Sequence, residues 1–456
     1  MTPAACRLPL AVLTPWAPER TGVAHYASLL IPALRKHADV TVVTAGERQA
    51  ASGQRIYQLG NNPHHEWIYR EAMQTPGVIV LHDLVLHHLI VEMTLARGDV
   101  DGYVEALHAN HGDAGAAWAR GRAAGLHSEM GNFLFPASID VANRSRAVIV
   151  HNHYAADRLR SFGVTTPIHV VPHPYEPYTG PQTSRKKVIG LFGFLTSAKR
   201  ADVVLEAFRR ARGVQLLVVG EPAPNIDVNA FRDEGITFTG YVEDFDRYYG
   251  EVDRIVNLRY PTAGETSGTL IRAFAAGKPV AVSDYAQFAE LPDDCVTKIP
   301  LGDGEVDALV RFFTSDLPDR SAAQTRWLAE NASIDKTVEG YLDALSATGG
   351  RRAATEVTRS IALFPKLELL SMNGHKATIR NIGDITLHAR AYGEPAYRII
   401  VKSGDYSRWL ELPRDLAPGQ TAVIDVPAPP GFITLHHALE SIPMLDPEPW
   451  GRAAIQ

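Results

Sequence analysis

The chain has 456 residues, more than one ordinary hydrophobic core organises, and its length suggests roughly three domains. Its composition, 45% hydrophobic and 21% charged, is that of a soluble globular protein, and a net charge of −6 argues against nucleic acid as the main partner. The two cysteines, Cys6 and Cys295, lie far apart without metal-ligand spacing, which argues against a disulfide framework or a zinc site. The apolar start Leu8 to Leu13 is interrupted by Pro9 and too short for a signal-peptide core. No run approaches the roughly 18 apolar residues of a membrane span. A cytoplasmic protein is expected.

In chain order, Leu10 to Thr14 reads as a first strand. The turn Pro15 to Gly22 then opens a helix with apolar positions Val23, Tyr26, Ala27, Leu30 and Leu34 and Thr21 as N-cap. Pro32 inside that pattern predicts a kink or an early break. Val40 to Thr44, Arg55 to Leu59 and Val78 to His82 are further short strands, and their alternation with helices means a parallel, doubly wound sheet. Asn61 and His65 follow the third of these strands, and His82 and Asp83 close the fourth. All four take crevice positions, because ligands of open parallel sheets bind at the carboxyl ends of the strands. Leu84 to Ala96 and Val100 to Ala124 read as helices, Gly125 to Ile139 as irregular. The pair His87-His88 points to different faces of a helix, so no metal is expected there. Strands at Ala147 to His151 and Ile168 to Pro172 flank a helix around Ala155 to Phe162. The Pro- and Gly-broken stretch His173 to Pro181 then reads as a linker.

A second alternating half begins with strand Val188 to Phe192. Its crevice loop, starting at Gly193, holds Lys199, which could reach a phosphate as a point charge. Helix Ala201 to Ala211 and strands Val214 to Val219 and Ile236 to Thr239 follow. The stretch Asn257 to Asp284 is the centre of the reading: a strand ending at Leu258, a loop from Arg259 to Gly268, a helix from Thr269 to Ala276 and a strand from Pro279 to Ser283. Gly264, Thr266, Ser267, Gly268 and Thr269 are expected to turn small hydroxyls and backbone N–H groups to the crevice at a helix N-terminus, an anion site suited to phosphate. Glu265 is an acceptor among those donors and suits sugar hydroxyls. A ligand with both a phosphate and a sugar fits this loop. Arg272, one turn into the helix, is either a ribose or phosphate contact or a surface charge.

Ser333 to Leu345 is a late helix, and Gly349 to Thr355 reads as a second linker. From Lys366 the texture changes to short runs at Lys376 to Arg380, Tyr397 to Lys402, Thr421 to Val426 and Phe432 to His437. The turn signals between them predict an all-β sandwich. The tail aromatics Tyr392, Tyr397, Tyr406, Trp409 and Phe432 suit either its core or a sugar-stacking platform.

The stretches TPWAPERTGVAHY, YQLGNNPHHEWIY, VIVLHD, GFLTSAKRADVVLEAF and LRYPTAGETSGTLIRAFAAGKPVAVSD, followed by Phe288-Ala-Glu290, resemble in this order the retaining glycosyltransferases of the two-Rossmann (GT-B) type, family 4. The likeness spans about the first 345 residues. It implies an acceptor domain at 1–175 with a crossover helix at about 333–345 and a nucleotide-sugar domain at 182–332; the sandwich read from the turn signals, at 360–456, lies outside it and resembles immunoglobulin-like appendages in texture. The activity it implies is transfer of a hexose, mannose-like or glucose-like, with retention, from a nucleoside-diphosphate sugar to a glycan or lipid-linked glycan in surface polysaccharide synthesis. Neither metal nor cofactor is expected, and peripheral contact with the inner face of the cytoplasmic membrane is compatible with such a role. Residue by residue, the resemblance places Lys199 on the diphosphate, Glu265 on the donor sugar and the backbone of Ser267 to Thr269 on the phosphate. Gly22 would allow close approach of the first-domain loop, and His82 would sit by the transferred sugar. Two positions depart from the family. Phe194 replaces an arginine that shares the phosphate charge, with Arg259 as a substitute, and Arg272 replaces the second glutamate of the Glu-x7-Glu pattern. These departures keep two alternatives in view: a degenerate relative that binds sugar or nucleotide without turnover, and a nucleotide-sugar epimerase.

Overall fold

The computed structural model describes residues 7–19, 21–45, 53–125, 131–181, 187–223, 226–242, 244–302, 304–346, 366–383, 387, 389, 397–439, 442–443 and 449–455. Cys6, Tyr392 and the linker expected at Gly349 to Thr355 lie outside them. Two compact units are present, one from residues 1–89 and 141–354, the other from 90–140 and 355–456.

The elements run β1 (Leu8–Leu13), α1 (Gly22–Leu34), β2 (Ala38–Val43), β3 (Gln54–Leu59), α2 (Glu66–Gln74), β4 (Val78–Leu81), α3 (His87–Met93), α4 (Val100–Ala123), α5 (Gly131–Leu134), α6 (Ile139–Arg144), β5 (Ala147–Val150), α7 (His153–Ser161) and β6 (Ile168–Val170). After the expected linker come β7 (Val188–Phe192), α8 (Ala201–Arg210), β8 (Gln215–Val219), β9 (Ile236–Phe238), α9 (Phe245–Glu251), β10 (Arg254–Asn257), α10 (Gly268–Ala275), β11 (Val280–Ser283), β12 (Thr297–Ile299), α11 (Glu305–Thr314), α12 (Ser321–Asn331) and α13 (Ile334–Ser346). No helix among the described residues is long and apolar enough to cross a membrane.

The first unit holds two six-stranded parallel sheets, ordered β2-β1-β3-β4-β5-β6 and β12-β11-β10-β7-β8-β9. Both are Rossmann-like. Strand order reverses between β1 and β3 in the first sheet and between β7 and β10 in the second, and these switch points are where such sheets leave a crevice. Short, fully buried strands such as Val78–Leu81 and Val280–Ser283 follow from helices covering both faces, so no polar alternation survives. Thr21 caps α1 as expected, its hydroxyl accepting from the Ala24 N–H at 3.0 Å. The helix runs through Pro32 and stops at Leu34, so the proline falls in the last turn, where little helix remains to lose.

The crossing helix α13 packs its face of Val338, Tyr341, Ala344 and Leu345 into the core of the first sheet, with Leu30 and Leu34 of α1. Tyr341 is fully buried, and its hydroxyl bonds that of Tyr26 at 2.9 Å and accepts from Gln58 Nε2 at 3.2 Å.

In the second unit α4 is not the regular helix expected, because Gly112 adopts φ 62° and kinks it. The segment read as irregular contains the short helix α5. The tail is all-β, with strands β13 (Leu367–Asn373), β14 (Lys376–Asn381), β15 (Tyr397–Ser403), β16 (Tyr406–Glu411), β17 (Thr421–Asp425), β18 (Gly431–Leu439), β19 (Ile442–Pro443) and β20 (Gly451–Ile455). They form two antiparallel sheets, β13-β14-β17 and β16-β15-β18-β19 with β20 on β18. Side chains from both sheets share one apolar core that includes Ile379, Ile399, Val401 and Leu435. The tail aromatics divide: Tyr397 is buried, whereas Trp409 and Phe432 are exposed.

Candidate functional site

At the switch point of the second sheet, the loop after β7 and the loop after β10 lie side by side, tied by a bond from the Tyr260 N–H to the Ala198 carbonyl at 2.8 Å. Gly193 opens the first loop at φ 84°, and a Cβ there would stand 2.8 Å from Lys199 Nζ. The left-handed backbone of the turn is what calls for glycine here.

Lys199 does not extend into the crevice as expected. Its side chain is buried and its ammonium donates to the Phe192 carbonyl. Burial, reinforced by the Arg259 guanidinium and opposed by Glu265, pulls its pKa well below the ordinary lysine value. A cation in that condition gains from any anion that comes near. Phe194, at the departure from the family pattern, is 54% exposed.

Glu265 is likewise engaged inside the loop. Its carboxylate accepts from Arg259 Nε at 2.9 Å, from the Thr262 hydroxyl at 2.9 Å and from the Ala263 N–H at 3.0 Å. The small hydroxyls expected at the crevice also turn inward. Ser267 and Thr269 both donate to Asn257 Oδ1 at 3.0 Å, and Ser267 caps α10 through the Leu270 N–H. The reason is the accounting of a helix N-terminus, whose polar groups must be paired when buried. What the loop offers outward is Gly268, exposed with nothing near its missing Cβ, and the first N–H groups of α10, which have no partner within the helix. Arg272 projects from α10 and is held by Asp246 at 2.8 Å, with His25 Nε2 of α1 at 3.3 Å and Glu176 at 4.0 Å.

The first sheet faces this loop through the ends of β4 and β5. The Val85 N–H donates to the Ala263 carbonyl at 3.1 Å, and Asn152 Nδ2 donates to the Gly264 carbonyl at 2.9 Å and to the Thr266 hydroxyl at 3.3 Å. Gly264, at φ 76°, lets this contact form, since a Cβ would come within 2.7 Å of Leu84 Cβ. Asp83 accepts from the Asn61 N–H at 2.8 Å, while Asn61 Oδ1 accepts from the Leu89 N–H at 3.1 Å. Burial and the Glu265 charge push the Asp83 carboxyl up to about 7, against the pull of the Asn61 bond. Asn61 thus positions Asp83 and the start of α3.

His82 donates from Nε2 to Gln58 Oε1, and Gln58 in turn donates to Tyr341, so a network reaching into α13 fixes the imidazole and its tautomer. The ring sits 4.6 Å from Tyr26 and 5.0 Å from His151 by centroids, and His173 lies 5.7 Å from His151. Burial keeps this group neutral: His82 falls well below its ordinary value, His151 to about 4 and His173 to about 3. His65 is fully buried, with Nδ1 bonded to the Gln58 carbonyl at 2.9 Å and a pKa lowered by burial to about 4. Its place is beneath Gly60. Gly22 opens α1 on the surface with no atom near its missing Cβ.

Two of these residues, His151 and His173, were not singled out by the sequence reading. The signal existed, because each follows the end of a parallel strand, β5 or β6.

Residues 186–314 match the family model of glycosyl transferases group 1, so the half built on β7 to β12 carries a glycosyltransferase group 1 domain. No curated protein matches the chain. Among solved structures, Anabaena HepE in complex with UDP and glucose is similar at 13% identity, covering 75% of this chain and 100% of its own, with a TM-score of 0.49. WaaG, a glycosyltransferase involved in lipopolysaccharide biosynthesis, is similar at 15% identity over 75% of this chain and 100% of its own, with a TM-score of 0.49. A glycosyltransferase from Rickettsia africae is similar at 13% identity over 65% of this chain and 98% of its own, with a TM-score of 0.40.

Proposed function

We propose that the chain is a retaining GT-B glycosyltransferase of family 4 that moves a hexose from a nucleoside-diphosphate sugar to a glycan or lipid-linked glycan in surface polysaccharide synthesis. The observation that carries the proposal is the group 1 glycosyltransferase match over the half that holds Lys199, Arg259 and the α10 N-terminus. In this reading the donor diphosphate lies across the switch point between β7 and β10. Lys199 and Arg259 neutralise the charge that grows on the leaving phosphate, and the N–H groups of Gly268 and Thr269 meet its oxygens. Arg259 does here what the arginine missing at Phe194 does in relatives. Glu265, released in part by Arg259, accepts hydroxyls of the transferred sugar, and Arg272 meets the ribose or the nucleotide phosphate.

On the acceptor side, His82 is neutral and fixed, and Asp83 stands beside the reacting sugar. The leaving phosphate takes the acceptor proton on the face it departs from, so the protein's part is to position and to stabilise charge. No metal or further cofactor is assigned. Place of action is the cytoplasm, with peripheral contact at the membrane where the acceptor is lipid-linked.

A thermal-shift panel of nucleoside diphosphates and their sugars tests the first step, because a ligand at 100 times its dissociation constant adds about 2.7 kcal/mol. The partner that shifts the melt then enters a transfer assay against soluble and lipid-linked glycans, with the product's anomeric configuration read by NMR. Inversion would sink the retaining assignment. Donor binding without transfer favours the second reading, a binding protein without turnover, which is motivated by Lys199 and Glu265 being paired internally and by Arg272 being held by Asp246. Conversion of the donor sugar with no acceptor present would identify an epimerase.

A further inference from the structure

Beside the donor loops lies a cavity of about 330 Å3 between α7, the first turn of α10 and α12, at the lower end of the roughly 300–1,000 Å3 of small-molecule sites. None of Lys199, Arg259, Glu265 and Arg272 lines it. Its walls are apolar at Val170, Pro172, Leu270, Ile271 and Leu291, and the Trp327 indole, set edge-on against Phe274 at 5.5 Å, forms part of one side.

Among its polar groups, beside the hydroxyls of Thr266 and Ser267 and the amides of Asn152 and Asn331, are several acceptors. Gln287 is 6% exposed, and its Nε2 donates to the Thr262 hydroxyl at 2.7 Å and to the Glu265 carbonyl at 2.9 Å. A carbonyl partner settles which way the amide points, and Oε1 is then left buried with no partner. His151 donates from Nδ1 to the Val171 carbonyl at 2.9 Å, so its Nε2, also buried without a partner, is a second acceptor. Glu330 adds a carboxylate. Glu290 adds another, already paired with the His153 and Tyr154 N–H groups at the start of α7. No lysine or arginine lines the space, two of its three histidines, His151 and His173, are kept neutral by burial, and Glu290 and Glu330 bring carboxylates, so phosphates and carboxylates are disfavoured. Apolar walls, an indole and several waiting acceptors suit a neutral molecule with hydroxyl donors and one apolar face. That is a pyranose.

We propose that this cavity seats the terminal sugar of the acceptor, a neutral hexopyranose stacked on Trp327 with its hydroxyls donating to Gln287 Oε1 and His151 Nε2. The acceptor role rests on the transferase reading; the preference for a neutral pyranose does not. Its position is appropriate to that role, since Thr266 and Ser267 of the donor loop form one edge and His151 lies 5.0 Å from His82 by ring centroids.

The test uses methyl gluco-, galacto- and mannopyranosides as probes, observed by saturation-transfer NMR on the full chain, alone and with UDP, UDP-glucose, GDP or GDP-mannose. At least one glycoside is expected to bind with and without the nucleoside diphosphates. Trp327→Leu, which keeps an apolar contact for Phe274, is expected to weaken that binding about tenfold while the donor thermal shift stays unchanged. Circular dichroism melts report whether the variant is folded, and if it is not, Glu330→Gln and Asn331→Ala at exposed positions of α12 take its place. The proposal fails if no glycoside binds the wild-type chain, or if folded Trp327→Leu binds as well as wild type. It also fails if a nucleotide sugar displaces the glycoside where its nucleoside diphosphate does not, since the space then belongs to the donor sugar. Glycoside binding with no transfer counts against the transferase reading alone. Transfer with an unchanged acceptor KM in Trp327→Leu counts against the cavity alone.

Discussion

Lys199 is a buried ammonium beside a guanidinium, a costly arrangement that an incoming diphosphate would relieve. Lys199→Ala is therefore expected to cost turnover about 2 to 4 kcal/mol of barrier, while Lys199→Met, which keeps the packing volume, should lose turnover equally and melt closer to wild type. Steady-state kinetics and urea melts of the two variants separate charge from packing. Asp83 makes the opposite case, a carboxyl pushed up to about 7 by burial and by Glu265. Its unfolded value is near 3.9, so the folded state holds the proton more tightly, and stability falls as pH rises from about 4 to 7 with the full cost present above 7. Asp83→Asn can still accept from Asn61 and has no charge to bury. Its stability advantage over wild type is expected to grow between pH 5 and pH 7, reach roughly 1 to 4 kcal/mol, and stay level at pH 8; an advantage independent of pH in urea melts would remove the titration from the account. Positions such as Lys199, Glu265 and Asp83 were legible because strand ends in parallel sheets are crevice positions. Their present partners were not, because the need to pair buried polar groups is settled by neighbours such as Phe192, Thr262 and Asn61, and sequence spacing does not rank those.

At the scale of elements, the loop from Arg259 to Gly268 with α10 is one of the places where the two halves touch. Gly264 needs a left-handed backbone and stands against Leu84, whereas Gly268 needs neither. Gly264→Ala should cost about 1 to 3 kcal/mol and loosen the contact through the Ala263 and Gly264 carbonyls, and Gly268→Ala should change stability by less than about 1 kcal/mol. Chemical denaturation of both variants checks this, and equal effects would contradict it. Strong apolar periods made α1, α8, α10 and α13 readable. Helix α11 has such a face too, at Ala308, Leu309, Phe312 and Phe313, and the sequence reading passed it over. Helix α12 could not be read in the same way, since only Gln324 and Leu328 are buried in it and no apolar stripe results. The cavity that α12 borders was hidden with it.

At the scale of the whole molecule, the alternation of strands and helices was enough to foresee two parallel sheets, because covered faces force short buried strands. It was not enough to foresee how the halves meet, which depends on single groups such as Asn152 and Glu290 bonding across. The tail was legible from its turn residues, and its core, among the described residues, is built from side chains between Leu367 and Ile455. The two parallel sheets keep cores of their own, centred on Leu30 and Ile149 in one and on Leu191, Val256 and Phe274 in the other. A chain ending at residue 350 is therefore expected to melt cooperatively and to retain the full donor thermal shift. Residues 90–140 belong to the second unit, so the same melt reads whether they hold their fold without the tail. A single transition with an unchanged donor shift makes the tail an independent module. A second, lower transition with donor binding intact would show that the helical stretch depends on it, and loss of both would mean that the tail's separate core does not make it separable.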